Sequence, residues 1–560
     1  MKKLFLFMMI VFLFSLTSCS FVIPGLESDE QTKEVNNEIE EETKNDENNI
    51  TEDNGETNNK NEDDKATNNG DNNSNQGNEE LLGKDYYDEK NTASLYSKLF
   101  DINNKVVVKV NISETEIAKI EADYQKYGSD CNIYRLADSV QITVTDNKGL
   151  VVADSTLKEV GIRMKGNTTR HSFYDNGITS LIHFKLDFQE TFDDSSVYSS
   201  KEMMTWNDAS KYEDRKNRTF FGLRGLELKY NAEGDLTYTR DVYTSKVYKK
   251  YGIYAQSTTL GVLDFNIGNN TSKSGTLGVY KIYEPVDRVF IKRYFAEDNN
   301  DGDLYKASWG KAKGMPSLNS ASTSSYGIDE GKPGVQKSVS YDLKTNKTKS
   351  NHEYIAKFLK WINGTSSDLN STVKRYINED YYATWLAIMY ITGDWDNFMY
   401  DSNNYYMYFD ESGLCYFIPY DMDRTFGLQA KMHNMANLKP LDKWNLQGSG
   451  NRSKLLQKTI DLANTTTRTK YLAKIKEISK DVLDTKTFTK YYDIIYANYK
   501  DDVLPTMKTL VYDYEDKTSN PFYHLIIGDG VYIKYNDSTS NNNAFDSYVS
   551  KKQAVIDANC

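Results

Sequence analysis

Histidine, cysteine and proline are scarce in this 560-residue chain, with 5, 4 and 8 copies. The histidines never recur at the spacing of a helical metal pair, and no Cys-x-x-Cys occurs. Both absences argue against a zinc site. So few histidines leave little material for a Ser-His-Asp centre, and no Gly-x-Ser-x-Gly elbow is present. A glycine-rich phosphate loop is missing too: Gly77 to Gly83-Lys84 is one residue too long, and Asp85 stands where Ser or Thr is needed. Beyond Cys19 the cysteines are Cys131, Cys415 and Cys560, which make no disulfide framework and leave room for one bridge. After the first sixteen residues no apolar run is long enough to cross a membrane.

The amino terminus has Lys2 and Lys3, no acid, and an apolar run from Leu4 to Leu16. That run suits a signal-peptide core better than a membrane span. Leu16-Thr17-Ser18-Cys19 resembles the lipobox of bacterial lipoproteins, in which the cysteine is lipidated. We therefore expect a signal peptide over 1–18, a lipid anchor at Cys19, and a body held outside the cytoplasm at the cell membrane. From Glu27 to Glu80 there are 19 acids against 4 lysines, a net charge of −15, while the whole chain carries −13. The acidity thus belongs to a linker, placed at 19–85, whose composition cannot bury enough apolar surface to order itself. The remaining body, 86–560, is close to neutral, with no basic surface to suggest nucleic acid.

Tyrosine is abundant in that body, with 43 copies in the chain, and is read as packing and surface. Lys105–Ile112 alternates like a strand, and Glu114–Tyr127 reads as a helix capped by Ser113. Further strands are expected at Val140–Val144, Glu159–Met164, Leu181–Phe188, Leu223–Leu228, Leu260–Asn266 and Leu277–Tyr283. Arg240–Tyr251 has helical spacing, and Pro285 is expected to open another helix. Asp380–Thr392 is apolar nearly all round, the mark of a buried helix. Tyr405–Phe409 and Cys415–Ile418 flank Asp410-Glu411-Ser412-Gly413, a hairpin signal, and helices follow near Lys454–Ala463, Lys470–Leu483 and Phe488–Tyr499. The class expected is α+β, with a strand-rich first half and a helix-rich second half.

The chemistry concentrates between Gly393 and Asp423. Gly393-Asp394-Trp395-Asp396-Asn397-Phe398, Asn404-Tyr405-Tyr406 and Pro419-Tyr420-Asp421-Met422-Asp423 set acids and an amide against apolar segments. Carboxylates so placed need a cation or donors to offset their desolvation, and a divalent metal carrying phosphates is one such cation. The hairpin would bring Asn404 near Asp421. Asp394, two residues before Asp396, reads as a turn residue.

These segments follow Gly161–Arg170 (GIRMKGNTTR), the strand around Lys185, Leu277–Phe295 and Gly302–Lys306 (GDLYK). In this order the set resembles the CotH-type kinases, the spore coat protein H family of atypical protein kinases, over about Lys105 to Gly427. The resemblance implies a two-lobed, kinase-like fold and transfer of the ATP γ-phosphate to Ser or Thr of exported or surface proteins. It implies Asp396 as catalytic acid, Asn404, Asp421 and Asp423 as holders of Mg²⁺ or Mn²⁺, Lys185 as the phosphate-contacting lysine and Glu284 as an acidic partner in the same lobe. Two departures stand out. Asp401 lies five residues after Asp396, where kinases place the metal-binding amide, and Tyr420 replaces a common Trp. Two other functions stay open at this point. One is a non-enzymatic surface adhesin or envelope-organising protein on the same fold; the other is a metal-dependent glycosyltransferase using Asp-x-Asp.

Overall fold

The computed structural model describes residues 94–507 and 545–560, apart from 167–168, 171, 175–180, 193–214, 217, 310–314, 330, 366–368, 429–432 and 447–451. The expected signal peptide, Cys19 and the acidic linker lie outside the described residues. Among the described residues, no helix is long and apolar enough to cross a membrane.

The first half is a closed barrel. After helix α1 (Ser94–Phe100) come β1 (Lys105–Ile112), α2 (Glu114–Tyr127), β2 (Arg135–Thr145), β3 (Val151–Lys165), β4 (His183–Asp187) and β5 (Gly225–Lys229). Helix α3 (Arg240–Lys250), β6 (Thr258–Ile267) and β7 (Gly275–Tyr283) complete it. Strand order round the barrel is β1-β2-β3-β4-β5-β7-β6, and β6 closes on β1 in parallel, with Val107 opposite Val262 and Ile112 opposite Ile267. In β1 every second residue is buried, so Val106, Val108, Val110 and Ile112 fill the interior. The Ser113 hydroxyl caps α2 as expected, accepting from the Glu116 N–H at 3.1 Å. The expected mixed class, strand-rich first and helix-rich second, is what the structure shows, and the strand-rich half is a seven-stranded barrel whose closure removes its sheet edges.

The second half is mixed. Helix α4 (Arg288–Tyr294) leads to β8 (Asp303–Ala307), β9 (Tyr326–Gly327), β10 (Tyr341–Leu343), α5 (Glu353–Asn363) and α6 (Glu379–Thr392). The hairpin β11 (Tyr405–Phe409) and β12 (Cys415–Pro419) follows, then α7 (Thr466–Val482), α8 (Thr485–Tyr499) and α9 (Phe545–Asn559). The hairpin belongs to a five-stranded sheet of order β12-β11-β8-β10-β9, in which the GDLYK segment is the central strand. Helix α4 begins at Arg288, not at Pro285, because the Asp287 carboxylate accepts from the Val289 and Phe290 N–H groups at 2.8 and 3.1 Å. Helix α6 is buried almost throughout and anchors the largest apolar core. Cys131 and Cys415 are buried and Cys560 is half-buried, all as free thiols.

Candidate active site

Strand β5, Gly225-Leu226-Glu227-Leu228-Lys229, is buried along its whole length, on both faces. Side chains alternate along a strand, so Leu226 and Leu228 enter the barrel core while Glu227 and Lys229 share the outer face. Neighbouring strands continue that face through their register. Glu227 pairs with Lys185 of β4 and Tyr283 of β7, Lys185 pairs with Arg163 of β3, Lys165 pairs with His183, and Lys229 pairs with Lys281. One barrel therefore has an apolar inner face and an outer face crowded with cations.

The second half supplies the acids opposite. β11 and β12 pair Tyr405 with Pro419, and the Tyr420 N–H donates to the Asn404 carbonyl at 3.2 Å, so the hairpin brings Asn404 beside the Asp-x-Asp segment as expected. Asn404 and Asp421 both adopt left-handed backbone, with φ +55 and +59. Asn and Asp adopt that conformation more readily than other non-glycine residues, because their short polar side chains can hydrogen-bond locally. Lys229 Nζ is bonded to Asp421 and lies 3.7 Å from Asp423. The Tyr420 hydroxyl donates to Glu227 at 3.1 Å, and Lys306 of β8 sits 4.2 Å from the centre of the Tyr420 ring. Lys165 is 2.6 Å and Lys185 is 3.8 Å from Glu227.

The charges shift one another strongly. Burial pushes the Asp421 carboxyl up, but Lys229 and Lys165 more than reverse this and hold it well below the usual range. Burial and the neighbouring Asp421 charge push Asp423 well above its ordinary value. Burial disfavours the Lys229 ammonium, yet Asp421 and Asp423 outweigh it and raise the group. Glu227 is held well below the carboxylate range, its burial overcome by Lys165, Lys185 and Lys306. Burial brings Lys165 down to about 8 and, with Lys337 beside it, takes Lys306 well below the lysine range. His183 is driven well below its ordinary value by burial and by Lys229 and Lys165.

Asp396 follows helix α6 across the left-handed Gly393. Its carboxylate lies 3.1 Å from Arg424 Nη1, and Arg424 also makes a forked bond to Glu233 at 3.0 and 3.1 Å. The guanidinium covers the Trp395 ring, 4.4 Å from its centre. Asn404 Nδ2 donates to the Asp396 carbonyl at 2.8 Å, and Asn403 Nδ2 lies 3.5 Å from Asp396 Oδ1. An amide coordinates a cation through oxygen, and the Asn404 bond is made by Nδ2, so Oδ1 is the atom that could meet a cation. Asp401 is buried in the helical turn Phe398–Asp401. Asp394 is buried as well, and burial with the Asp396 and Asp421 charges pushes it well above the carboxylate range.

The structure thus gathers Asp396, Asn404, Asp421, Asp423 and Lys185 at one junction. Glu284 stands apart from Lys185: it is bonded to Arg293 and accepts from Tyr96 at 2.8 Å and from the Ser257 N–H at 3.1 Å. The lysine bonded to Asp421 is Lys229, and the acid beside Lys185 is Glu227. Their signal in the sequence was charge alternating with leucine in Leu226-Glu227-Leu228-Lys229. Lys165 lies in GIRMKGNTTR and Lys306 in GDLYK, and Arg424 directly follows Asp423.

The donor set fits a hard divalent cation. Asp421 and Asp423 crowd each other enough to push one toward its neutral form, the situation a shared cation relieves. Mg²⁺ keeps several waters and takes one or two carboxylates. Among the described residues, no group of three or more His, Cys, Asp or Glu could hold a metal ion.

No curated protein matches this chain. A family model does, the one described as CotH kinase protein, over residues 195–538. The match takes in β5, Asp396, the hairpin, Asp421 and Asp423, and starts after Lys185 and the GIRMKG segment. It spans well over half of the sequence, and the chain belongs to the CotH kinase family.

Proposed function

We propose that this protein is a membrane-tethered atypical protein kinase that transfers the γ-phosphate of ATP to Ser or Thr of exported or surface proteins. In this reading the barrel and the helix-rich remainder are its two lobes, and Cys19 carries the lipid that anchors it at the cell membrane, with the body extracytoplasmic. One observation carries the proposal. The lysine-rich outer face of the barrel meets Asp421 and Asp423 at the same junction that holds Asp396. Phosphoryl transfer asks little covalent chemistry of a protein; it asks for positioning and charge neutralisation.

Asp421, Asp423 and the Asn404 oxygen would hold Mg²⁺ or Mn²⁺, which when bound offsets charge on the phosphates. Lys165, Lys185, Lys229 and Lys306 bind the phosphate oxygens as point charges. Asp396, fixed by Arg424, orients the substrate hydroxyl and accepts its proton. The Asn404 bond to the Asp396 carbonyl ties the base to the metal-holding segment.

The test is incubation of the purified protein with γ-labelled ATP and Mg²⁺ beside Asp396→Ala. Labelled protein from the wild type alone is the expected result. No label and no ATP binding by calorimetry would overturn the assignment.

A further inference from the structure

Helix α9, Phe545–Asn559, lies beyond the segment that matches the family model. It nonetheless packs against both loops of the candidate site. Tyr548 is 1 % exposed, and its hydroxyl donates to the Ile391 carbonyl, in the last turn of α6, at 2.9 Å. A Cβ at Gly393 would lie 2.1 Å from the Tyr548 hydroxyl oxygen, and one at Gly427 would lie 3.0 Å from the Tyr548 ring. Both glycines have positive φ, +64 and +79. Gly393 stands directly before Asp394-Trp395-Asp396, and Gly427 four residues after Asp423. One aromatic ring therefore fills the space left by the two glycines that bracket the catalytic segment.

Other contacts point the same way. The Tyr548 and Phe426 rings meet edge to face, 6.0 Å apart, and Phe545 stacks on Phe488 at 3.7 Å while touching Phe426 at 5.0 Å. The Phe426 N–H donates to the Thr392 carbonyl at 2.7 Å, so the two loops are already joined beneath the ring. Lys552, fully buried, donates to the Met435 carbonyl at 2.8 Å and covers the Tyr390 ring at 3.8 Å. A helix held by hydrogen bonds to the end of α6 and to the chain beyond Gly427 has little freedom to shift between them.

We propose that Tyr548 is a positioning residue: its ring, wedged between Gly393 and Gly427, sets the separation of the Asp396 loop from the Asp421 loop. This rests on the kinase reading for its effect on rate, and on geometry alone for its effect on the loops. Misplacement by about 1 Å can cost on the order of 100-fold in rate.

In the full chain, Tyr548→Ala is compared with Tyr548→Phe and Tyr548→Leu. Tyr548→Ala should raise amide hydrogen exchange in 393–397 and 421–427 while leaving β1–β3 of the barrel unchanged. It should lower turnover of Mg·ATP about 10- to 100-fold with ATP affinity held within about twofold. Tyr548→Phe, which keeps the ring, should restore most of the rate. Should Tyr548→Ala fail to fold, Tyr548→Leu keeps apolar volume and is expected to loosen the same two segments. Unchanged exchange in both segments, or a change spread evenly over the molecule, overturns the proposal. A wild type that turns over no ATP would sink the kinase reading, while the exchange comparison would still decide whether Tyr548 braces the loops.

Discussion

Two buried carboxylates of this protein, Glu284 and Glu227, sit in opposite electrostatic situations. Glu284 has Arg293 as its ion-pair partner, and its oxygens also accept from Tyr96, Ser257 and Tyr294. One anion meets one arginine there, and a carboxylate has room for about four donors. Glu227 instead faces Lys165 and Lys185, with Lys306 close enough to hold its pKa down and Lys229 beside it on the strand. Ammonium groups outnumber ionised carboxylates, and burial, with neighbouring lysines adding to it, drives Lys165 and Lys306 below the lysine range. A closed set of charges holds a fold together. An open one is costly to keep buried without a counter-ion, and on the kinase reading the phosphates of ATP supply it.

The comparison can be broken from either side. The largest effect should come from Asp396→Ala, which on the kinase reading lowers phosphate transfer about 10²- to 10⁴-fold with an unchanged melting temperature. A matched kinetic and calorimetric pair would check it. Arg293→Met should do the reverse. Stranding the Glu284 charge is expected to cost about 3–5 kcal/mol of stability, read by denaturant unfolding. If stability held, the closed set would be no scaffold. Lys306→Met removes a cation that shares Glu227 with Lys165 and Lys185. Stability should hold or rise, while ATP binding weakens about tenfold, roughly 1.4 kcal/mol by calorimetry.

The smallest effect is one of pH. Lys165 has a folded value of about 8 against an ordinary 10.5. Between these values the unfolded chain binds more protons than the folded one, so the Lys165 contribution to stability rises with pH. In the folded protein its charge is lost around pH 8, so ATP affinity should fall a few-fold from pH 7 to 9. Lys165→Met should flatten both trends, and affinity and stability moving together would contradict the assignment.

How much of this was legible depended on whether one face or two were buried. β1 alternates cleanly because one side of it points into the barrel, and its ends read true from Lys105 to Ile112. The hairpin was equally plain, since Asp410 to Gly413 separates two runs of aromatic residues. β5 was read as a strand but not as part of the site. Glu227 and Lys229 look like solvent-facing charges until the second half of the chain covers them, and no local pattern tells of that cover. Lys185 pairs with Glu227 only at 3.8 Å, while its neighbours Lys165 and Lys229 make hydrogen bonds to acids that the sequence does not announce. Closure of the barrel was invisible for the same reason, because β1 meets β6 through long-range pairing alone. Helix α9 went unread, its apolar pattern being weak and its best anchor a buried lysine.

The parallel pairing of β1 with β6 carries a consequence in time. Asn111 and Asn266, hydrogen-bonded across that seam, are 155 residues apart, and Lys229 is 192 residues from Asp421. Such contacts form late, because the loop must close before either end gains anything from the meeting. A growing chain that has built β1 to β5 holds Lys165, Lys185 and Lys229 but neither Asp421 nor Asp423 to face them, and those acids emerge only after the barrel can shut. The meeting of lysines and acids is therefore a property of the folded whole: no fragment released early, and no nascent intermediate, would own both sides of the junction.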